Sequence, residues 1–325
     1  MFTPETLSTA LIMMITSTVC WGSWANSYKL TKNYRFELFY WDYSLGIFVI
    51  SLILAITLGS SPLNQHSFLA NLHSADRSNF VYAMIGGFIF NIANLLLVAG
   101  IEIAGLAIAF PLSIGIALVL GVVMSYAIQP KGSASLLGVG VALALLAVIL
   151  IGKAYGALPG TGRSVTRRGI IVCIISGLLM GSFAPFVTRA LTAGHTLTPY
   201  SIGVFFTLGA LFSCLIANSY FMRHPLVGAP VNLSGYFAAR PLYHVLGLVG
   251  GVVWGLGTVF NFVAASLVGV PVSYAIGQAS PMIAVLWGVF VWREFRGANA
   301  TAKAYLGGMS ACYVLALIMI SRAYQ

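Results

Sequence analysis

The sequence predicts an all-α membrane protein of ten transmembrane helices, arranged as two inverted five-helix repeats. Three observations predict it. Apolar runs long enough to cross about 30 Å of hydrocarbon recur along the whole chain. The 325 residues are 59% hydrophobic and 7% charged, with a mean hydropathy of +0.96, where a soluble domain carries roughly a quarter charged residues. The second half also repeats the first. Gly86-Gly87-Phe88 through Ala104-Gly105-Leu106 falls, ungapped, on Gly250-Gly251-Val252 through Val268-Gly269-Val270. Trp21-Gly22-Ser23-Trp24-Ala25 likewise matches Met180-Gly181-Ser182-Phe183-Ala184, and Tyr43-Ser44-Leu45-Gly46 matches Tyr200-Ser201-Ile202-Gly203. An odd number of crossings per copy turns the second copy over.

The spans follow in order. The first, 7–28, lacks the Lys/Arg-rich start of a secretory signal and has a counterpart in the second half, so it reads as a retained helix. Span 2 is 39–59 and begins around Tyr40-Trp41-Asp42-Tyr43-Ser44. Span 3, 80–101, carries the Gly86-Gly87 pair, and a short turn holding Glu102 leads to span 4, 104–127, with Pro111 inside it. Span 5 is 134–152. Residues 153–168 form a polar linker between a first repeat, 1–152, and a second, 169–325. Span 6, 169–190, contains Pro185, and span 7 is 199–221. Span 8, 243–266, carries Gly250, Gly251 and Gly255. Span 9, 270–292, starts at Pro271, where proline is tolerated, and holds Pro281 in its interior. Span 10 is 303–321. Interior prolines free a carbonyl and bend a helix. The glycines, Gly86 included, predict close helix crossings.

Charge orients the chain. Of the 16 Lys and Arg, 12 fall in the connections after odd-numbered spans, led by Lys29, Lys32 and Arg35 and by Arg163, Arg167 and Arg168. The positive-inside rule places that set in the cytoplasm and both termini outside, across the plasma or cell inner membrane. The net charge of +10 therefore signals topology, and no basic stripe supports nucleic-acid binding. Cys20, Cys173, Cys214 and Cys312 sit one to a span as small packing residues. The linker stretch Gly160-Thr161-Gly162-Arg163-Ser164 hints at a phosphate loop. Gly156 and Gly162 are six apart where five are needed, and Arg163 stands in place of lysine.

Polar and aromatic residues recur at helical spacing. Trp254, Thr258 and Asn261 form one stripe on span 8, and Tyr274, Gln278 and Pro281 repeat that spacing on span 9. Asn91 and Asn94 share a face of span 3, while Trp21, Trp24 and Tyr28 line span 1. Amides beside indole and phenol rings suit a neutral, planar, polyfunctional solute, and they equally suit interhelical packing. Two carboxylates stand near span ends, where charge is costly: Asp42, with Lys29 as the expected partner, and Glu102. Either can serve as a proton-coupling group or as an interfacial charge. Glu294, between Arg293 and Arg296, is expected in an interfacial salt bridge. The five histidines (66, 73, 195, 224, 244) lie in or beside connections, and no catalytic or metal-binding constellation emerges. Neither an enzyme nor a cofactor is expected. Inverted repeats in a polytopic membrane protein point to a transporter with its site at the repeat interface.

The chain resembles the drug/metabolite transporter superfamily, and within it most the ureide permease family, near the glucose/ribose porters and rhamnose symporters. Trp21-Gly22-Ser23-Trp24, Asp42-Tyr43-Ser44-Leu45, Gly86-Gly87 with Asn94, His224-Pro225-Leu226-Val227-Gly228-Ala229-Pro230, and Pro281 through Trp287-Gly288 to Glu294 carry the likeness. The resemblance implies secondary active transport by proton symport of oxo derivatives of nitrogen heterocycles such as allantoin, uracil and xanthine. It implies a pocket between the halves lined by helices 1, 3, 4, 6, 8 and 9, with Trp24 and Asn94 against the solute and Asp42 in coupling. Plant members carry a longer central loop once described as nucleotide-binding, whereas the loop here is short. The expected partners are thus a small solute, a proton and the lipid bilayer, as a monomer or homodimer. Sugar symport and drug or metabolite efflux are the alternatives.

Overall fold

A computed structural model describes residues 1–60, 67–158 and 166–324. The phosphate-loop hint at 160–164 and His66 lie outside the described residues. Among the described residues ten helices are long and apolar enough to span a bilayer: α1 (Leu7–Leu30), α2 (Phe36–Ile56), α3 (Arg77–Ala104), α4 (Leu106–Ile128), α5 (Ala134–Gly156), α6 (Arg167–Thr192), α7 (Pro199–Arg223), α8 (Pro241–Val268), α9 (Val270–Val291) and α10 (Ala300–Arg322). Apolar side chains dictate these spans, because a backbone in lipid must satisfy its own hydrogen bonds. Local chemistry sets the ends. Thr6, Ser133, Thr166, Thr198 and Asn299 each cap a helix by accepting from a backbone N–H of the first turn. Gly105 and Gly269, 164 positions apart, end α3 and α8 with φ of 77° and 89°. Glycine alone adopts that backbone without strain, so each 28-residue helix turns directly into the next.

The packing repeats when the halves are exchanged. α3 lies on α6 and α7, α8 lies on α1 and α2, and α5 lies on α10. Glycines permit the closest crossings. A Cβ at Gly87 would strike the Phe206 carbonyl of α7, and one at Gly251 would strike the Tyr43 carbonyl of α2. Gly255 is similarly tight against Ile50, at 2.5 Å. Gly86 is the exception: a Cβ there would find its nearest atoms at 3.5 Å, an ordinary contact.

Four spans depart from regular helix, α7 through a π-turn over Cys214–Asn218. α1 is interrupted at Trp24, between the segments Leu7–Ser23 and Ala25–Leu30. α4 widens into a π-turn over Phe110–Ile114 around Pro111. α9 breaks at Gln278 and Ala279, just ahead of Pro281. Pro281 has no N–H, so the Gly277 carbonyl four residues back lacks its helical donor. Pro185, in contrast, sits inside a helix that stays regular in type from Arg167 to Thr192.

Candidate functional site

The irregular segments of α1, α4 and α9 border one cavity of about 440 Å³. Its walls come from α1, α3, α4, α6, α8 and α9, with Phe36 of α2 and Tyr155 of α5 nearer the mouth. Its inner end is aromatic. Trp254 stacks on Phe90 with centroids 4.4 Å apart and on Trp21 at 6.0 Å, and Phe183 meets Phe90 edge-on at 5.7 Å. These rings pack on one another, so the floor is apolar. Trp24 leans on Tyr43 at 4.7 Å.

Six of the expected substrate-binding residues border this cavity: Trp21, Trp24, Tyr28, Asn94, Trp254 and Gln278. Their polar atoms differ in availability. Trp21 donates to Thr258 Oγ1 at 3.0 Å, and Asn94 donates through Nδ2 to Tyr40 Oη at 3.1 Å. The Gln278 side chain makes no hydrogen bond among the described residues, although only 6% of it is exposed. An amide buried without a protein partner loses about 1–3 kcal/mol unless something else meets it. The break in α9 holds it there.

The other four lie off the cavity wall. Asn91 donates to Ser213 of α7 at 3.1 Å, Thr258 donates to the Trp254 carbonyl, and Asn261 donates to the Ser273 carbonyl at 2.9 Å. Tyr274 donates to the Ala117 carbonyl at 3.1 Å. The stripes of spans 8 and 9 therefore do not face the cavity as units. Close packing of α8 covers the turns after Trp254, and the break in α9 separates Tyr274 from Gln278.

The mouth lies at the end of the molecule where α1, α3, α5 and α9 finish, and it is charged. Lys29 pairs with Glu294, lies 4.5 Å over the Trp292 ring, and so joins α1 to α9. Tyr155 donates to the other Glu294 oxygen at 2.9 Å, and Trp292 donates to Asn26 at 2.6 Å. These contacts bear out the salt bridge expected for Glu294 and correct one expectation: Lys29 partners Glu294 rather than Asp42. Lys29 is the cation that packing of α1 against α9 brings into reach. Glu102 lines the same mouth.

Asp42 stands apart from the cavity, 4% exposed within the first turns of α2. Its Oδ1 accepts from Tyr236 Oη and its Oδ2 meets His244 Nδ1, each at 2.7 Å. His244 thus does have an acid partner, 202 positions away, which is why spacing along the chain does not reveal it. Burial, and then the charge of Asp42, push the nearby Tyr34 phenol up to about 12. Burial raises the Tyr236 phenol as well, with its hydrogen bond to Asp42 second. Beside this cluster Arg35 grips Glu37 at 2.6 Å and the carbonyls of Val227 and Ala229. That Glu37 contact raises the guanidinium value against the effect of burial. The motif His224 through Pro230 therefore forms a strap clamped to the start of α2.

Sequence reasoning passes over Met180 and Phe183, which also line the cavity. The repeat holds the signal for both, since they are the counterparts of Trp21 and Trp24. Phe90 and Ile114, counterparts of Trp254 and Gln278, line it too. One cavity thus gathers equivalent positions from both halves.

The family described as sugar transport protein matches residues 53–321. Ureide permease 1 of Arabidopsis thaliana is 21% identical to this chain, over 98% of each. Ureide permease 2 of the same plant is 22% identical, over 94% of each. A Listeria monocytogenes protein named for sugar uptake is 22% identical over 66% of this chain and 70% of its own length. One crystal structure shares the fold with a TM-score of 0.66, covering 98% of this chain and 99% of that one at 13% identity.

Proposed function

The chain belongs to the sugar transport protein family, an integral membrane transporter of small solutes rather than an enzyme, and on that premise we propose that it imports a small neutral ureide or nucleobase by proton symport. Allantoin, uracil and xanthine exemplify the class. The unpartnered Gln278 amide, buried in a cavity floored by Trp21, Trp254 and Phe90, carries this reading. A planar ring of alternating carbonyls and N–H groups can lie along the aromatic walls while its edge exchanges hydrogen bonds with Gln278 and Asn94. The full-length similarity to ureide permeases supports it.

Sugar symport is the second reading, favoured by the family description and by the polar mouth around Lys29, Glu294 and Glu102. The inner end weighs against it. Each sugar hydroxyl needs a partner once buried, and the floor is mostly carbon.

In the proposed arrangement the halves are inverted repeats and their interface holds the solute. With most Lys and Arg on the connections after odd-numbered spans, the mouth faces the cytoplasm and both termini lie outside. Proton coupling is assigned to the Asp42 site or to Glu102. Thermal-shift measurements with allantoin, uracil, xanthine and glucose on the purified protein test the substrate class, since a ligand raises stability by mass action. The heterocycles should raise the midpoint. A shift from glucose with none from the heterocycles would transfer the assignment to sugars.

A further inference from the structure

We propose that His244 Nε2 is the atom that takes up the coupling proton, and that Asp42 positions the ring rather than carrying the proton itself. The inference rests on the proton-symport reading. Both Asp42 oxygens already accept hydrogen bonds, from Tyr236 and from His244 at 2.7 Å each. Protonating either oxygen would break one of those bonds or force a buried O–H to seek a new acceptor. A carboxylate can only accept, so His244 keeps its hydrogen on Nδ1. The second ring nitrogen, Nε2, has no hydrogen-bond partner among the described residues, and the side chain is 25% exposed. A proton binds the Nε2 lone pair without disturbing any existing bond, and the imidazolium formed then faces the Asp42 carboxylate.

The surroundings leave the second ring nitrogen of His244 as the open acceptor of the cluster. Tyr236 stacks edge-on against the imidazole at 4.6 Å, and burial and Asp42 both hold its phenol in the neutral form. Tyr34 lies over Tyr243 at 5.0 Å and is likewise raised by burial and by Asp42. On α2, Tyr43 adjoins Asp42, while Arg35 and Glu37 are committed to one another. Arg240 stands at the start of α8, next to the helix it caps.

The pair also sits where it can be felt in the cavity. Gly247, one turn beyond His244, packs against the Asp42 side chain, and Gly251 and Gly255 continue that seam along α2. The same helix delivers Trp254 to the cavity floor, about 15 Å from His244 at 1.5 Å per residue. Tyr43, beside Asp42, supports Trp24. A change of charge at one end of the seam therefore acts on two cavity walls.

The test uses the full chain in lipid. Histidine-labelled protein in nanodiscs is titrated by nitrogen NMR, and His244→Gln identifies the signal. The neutral ring should carry its hydrogen on Nδ1 and bind its proton at Nε2, and Asp42→Asn should give a tautomer mixture. In proteoliposomes, His244→Gln should lower gradient-driven accumulation of whichever of allantoin or glucose the wild type takes up by roughly tenfold or more. Counterflow should continue, which reports a folded transporter, and its pH profile should flatten. A neutral ring with its hydrogen on Nε2, or accumulation by His244→Gln equal to the wild type, overturns the assignment. If the NMR result holds while the wild type shows counterflow without gradient-driven accumulation, proton symport itself fails, and the coupling role of His244 fails with it.

Discussion

α3 and α8 are the same helix written twice, and they end in opposite circumstances. Both run 28 residues to a left-handed glycine, and both carry a Gly-Gly pair that admits a neighbouring backbone. Beyond the ring each offers to the floor, Phe90 or Trp254, they part. The last turns of α3 leave Leu97, Val98 and Ile101 half-buried and Glu102 exposed, all four along the open cavity. The corresponding turns of α8 bury Asn261, Phe262, Val263, Ala264 and Ala265. The same spacing of glycines and rings thus supports one helix end that runs along a cavity and one that its neighbours largely cover.

The two ends of the molecule mirror this difference. Away from the mouth, Asn71 bonds the Thr196 carbonyl and the Thr198 N–H, and Asn79 bonds the carbonyls of Ala193 and His195. Four hydrogen bonds made by two amides tie these segments together beside a second pocket of about 490 Å³. At the mouth the halves meet chiefly through charged side chains, which are worth less per contact where water reaches them.

The comparison breaks most severely at its shared feature. Gly251→Leu should cost about 3 kcal/mol or more, since neither backbone can yield to an overpacked side chain, and size-exclusion profiles should show loss of folded protein. Gly86→Ala, one position from the equivalent of Gly251, should elute normally. Gln278→Ala comes next. It removes the amide that distinguishes α9 from α4, where Ile114 stands, and should weaken binding of the accepted heterocycle by about 1–3 kcal/mol, or roughly 5- to 150-fold. Isothermal titration reads that loss, and unchanged affinity would remove Gln278 from the site.

Smaller effects sharpen the contrast. Asn91→Ala should lower stability by about 0.6–1.7 kcal/mol through the lost bond to Ser213, with binding untouched. A fall in affinity would show that α3 packing and solute recognition are one unit. Least of all, a double-mutant cycle on Lys29→Gln and Glu294→Gln should give a coupling below about 1 kcal/mol that shrinks with salt. A coupling that persists in high salt would mean that the pair ties α1 to the end of α9 far more firmly than its exposure implies.

Much of this architecture is legible before any coordinates. All ten spans fall within a few residues of their expected ends, because a stretch of backbone either carries enough apolar side chains to enter lipid or does not. The repeat anticipates the equivalence of Gly105 with Gly269 and of Phe90 with Trp254. The site is legible only in part. Trp24, Asn94 and Gln278 border the cavity, whereas Asn91, Thr258, Asn261 and Tyr274, equally well spaced, make their bonds elsewhere. Periodicity assigns a residue to a face of its own helix. It does not say which neighbour covers that face.

The sequence by itself determined the membrane, the spans, the duplicated halves and the glycines that let them close, since these depend on hydrophobicity and backbone sterics read locally. Only the tertiary structure decided that Lys29 meets Glu294, that His244 meets Asp42 across 202 positions, and that the Gln278 side chain finds no partner among the described residues. Those outcomes depend on which of several competing donors and acceptors the packing of distant helices brings within 3 Å, and no local rule ranks them.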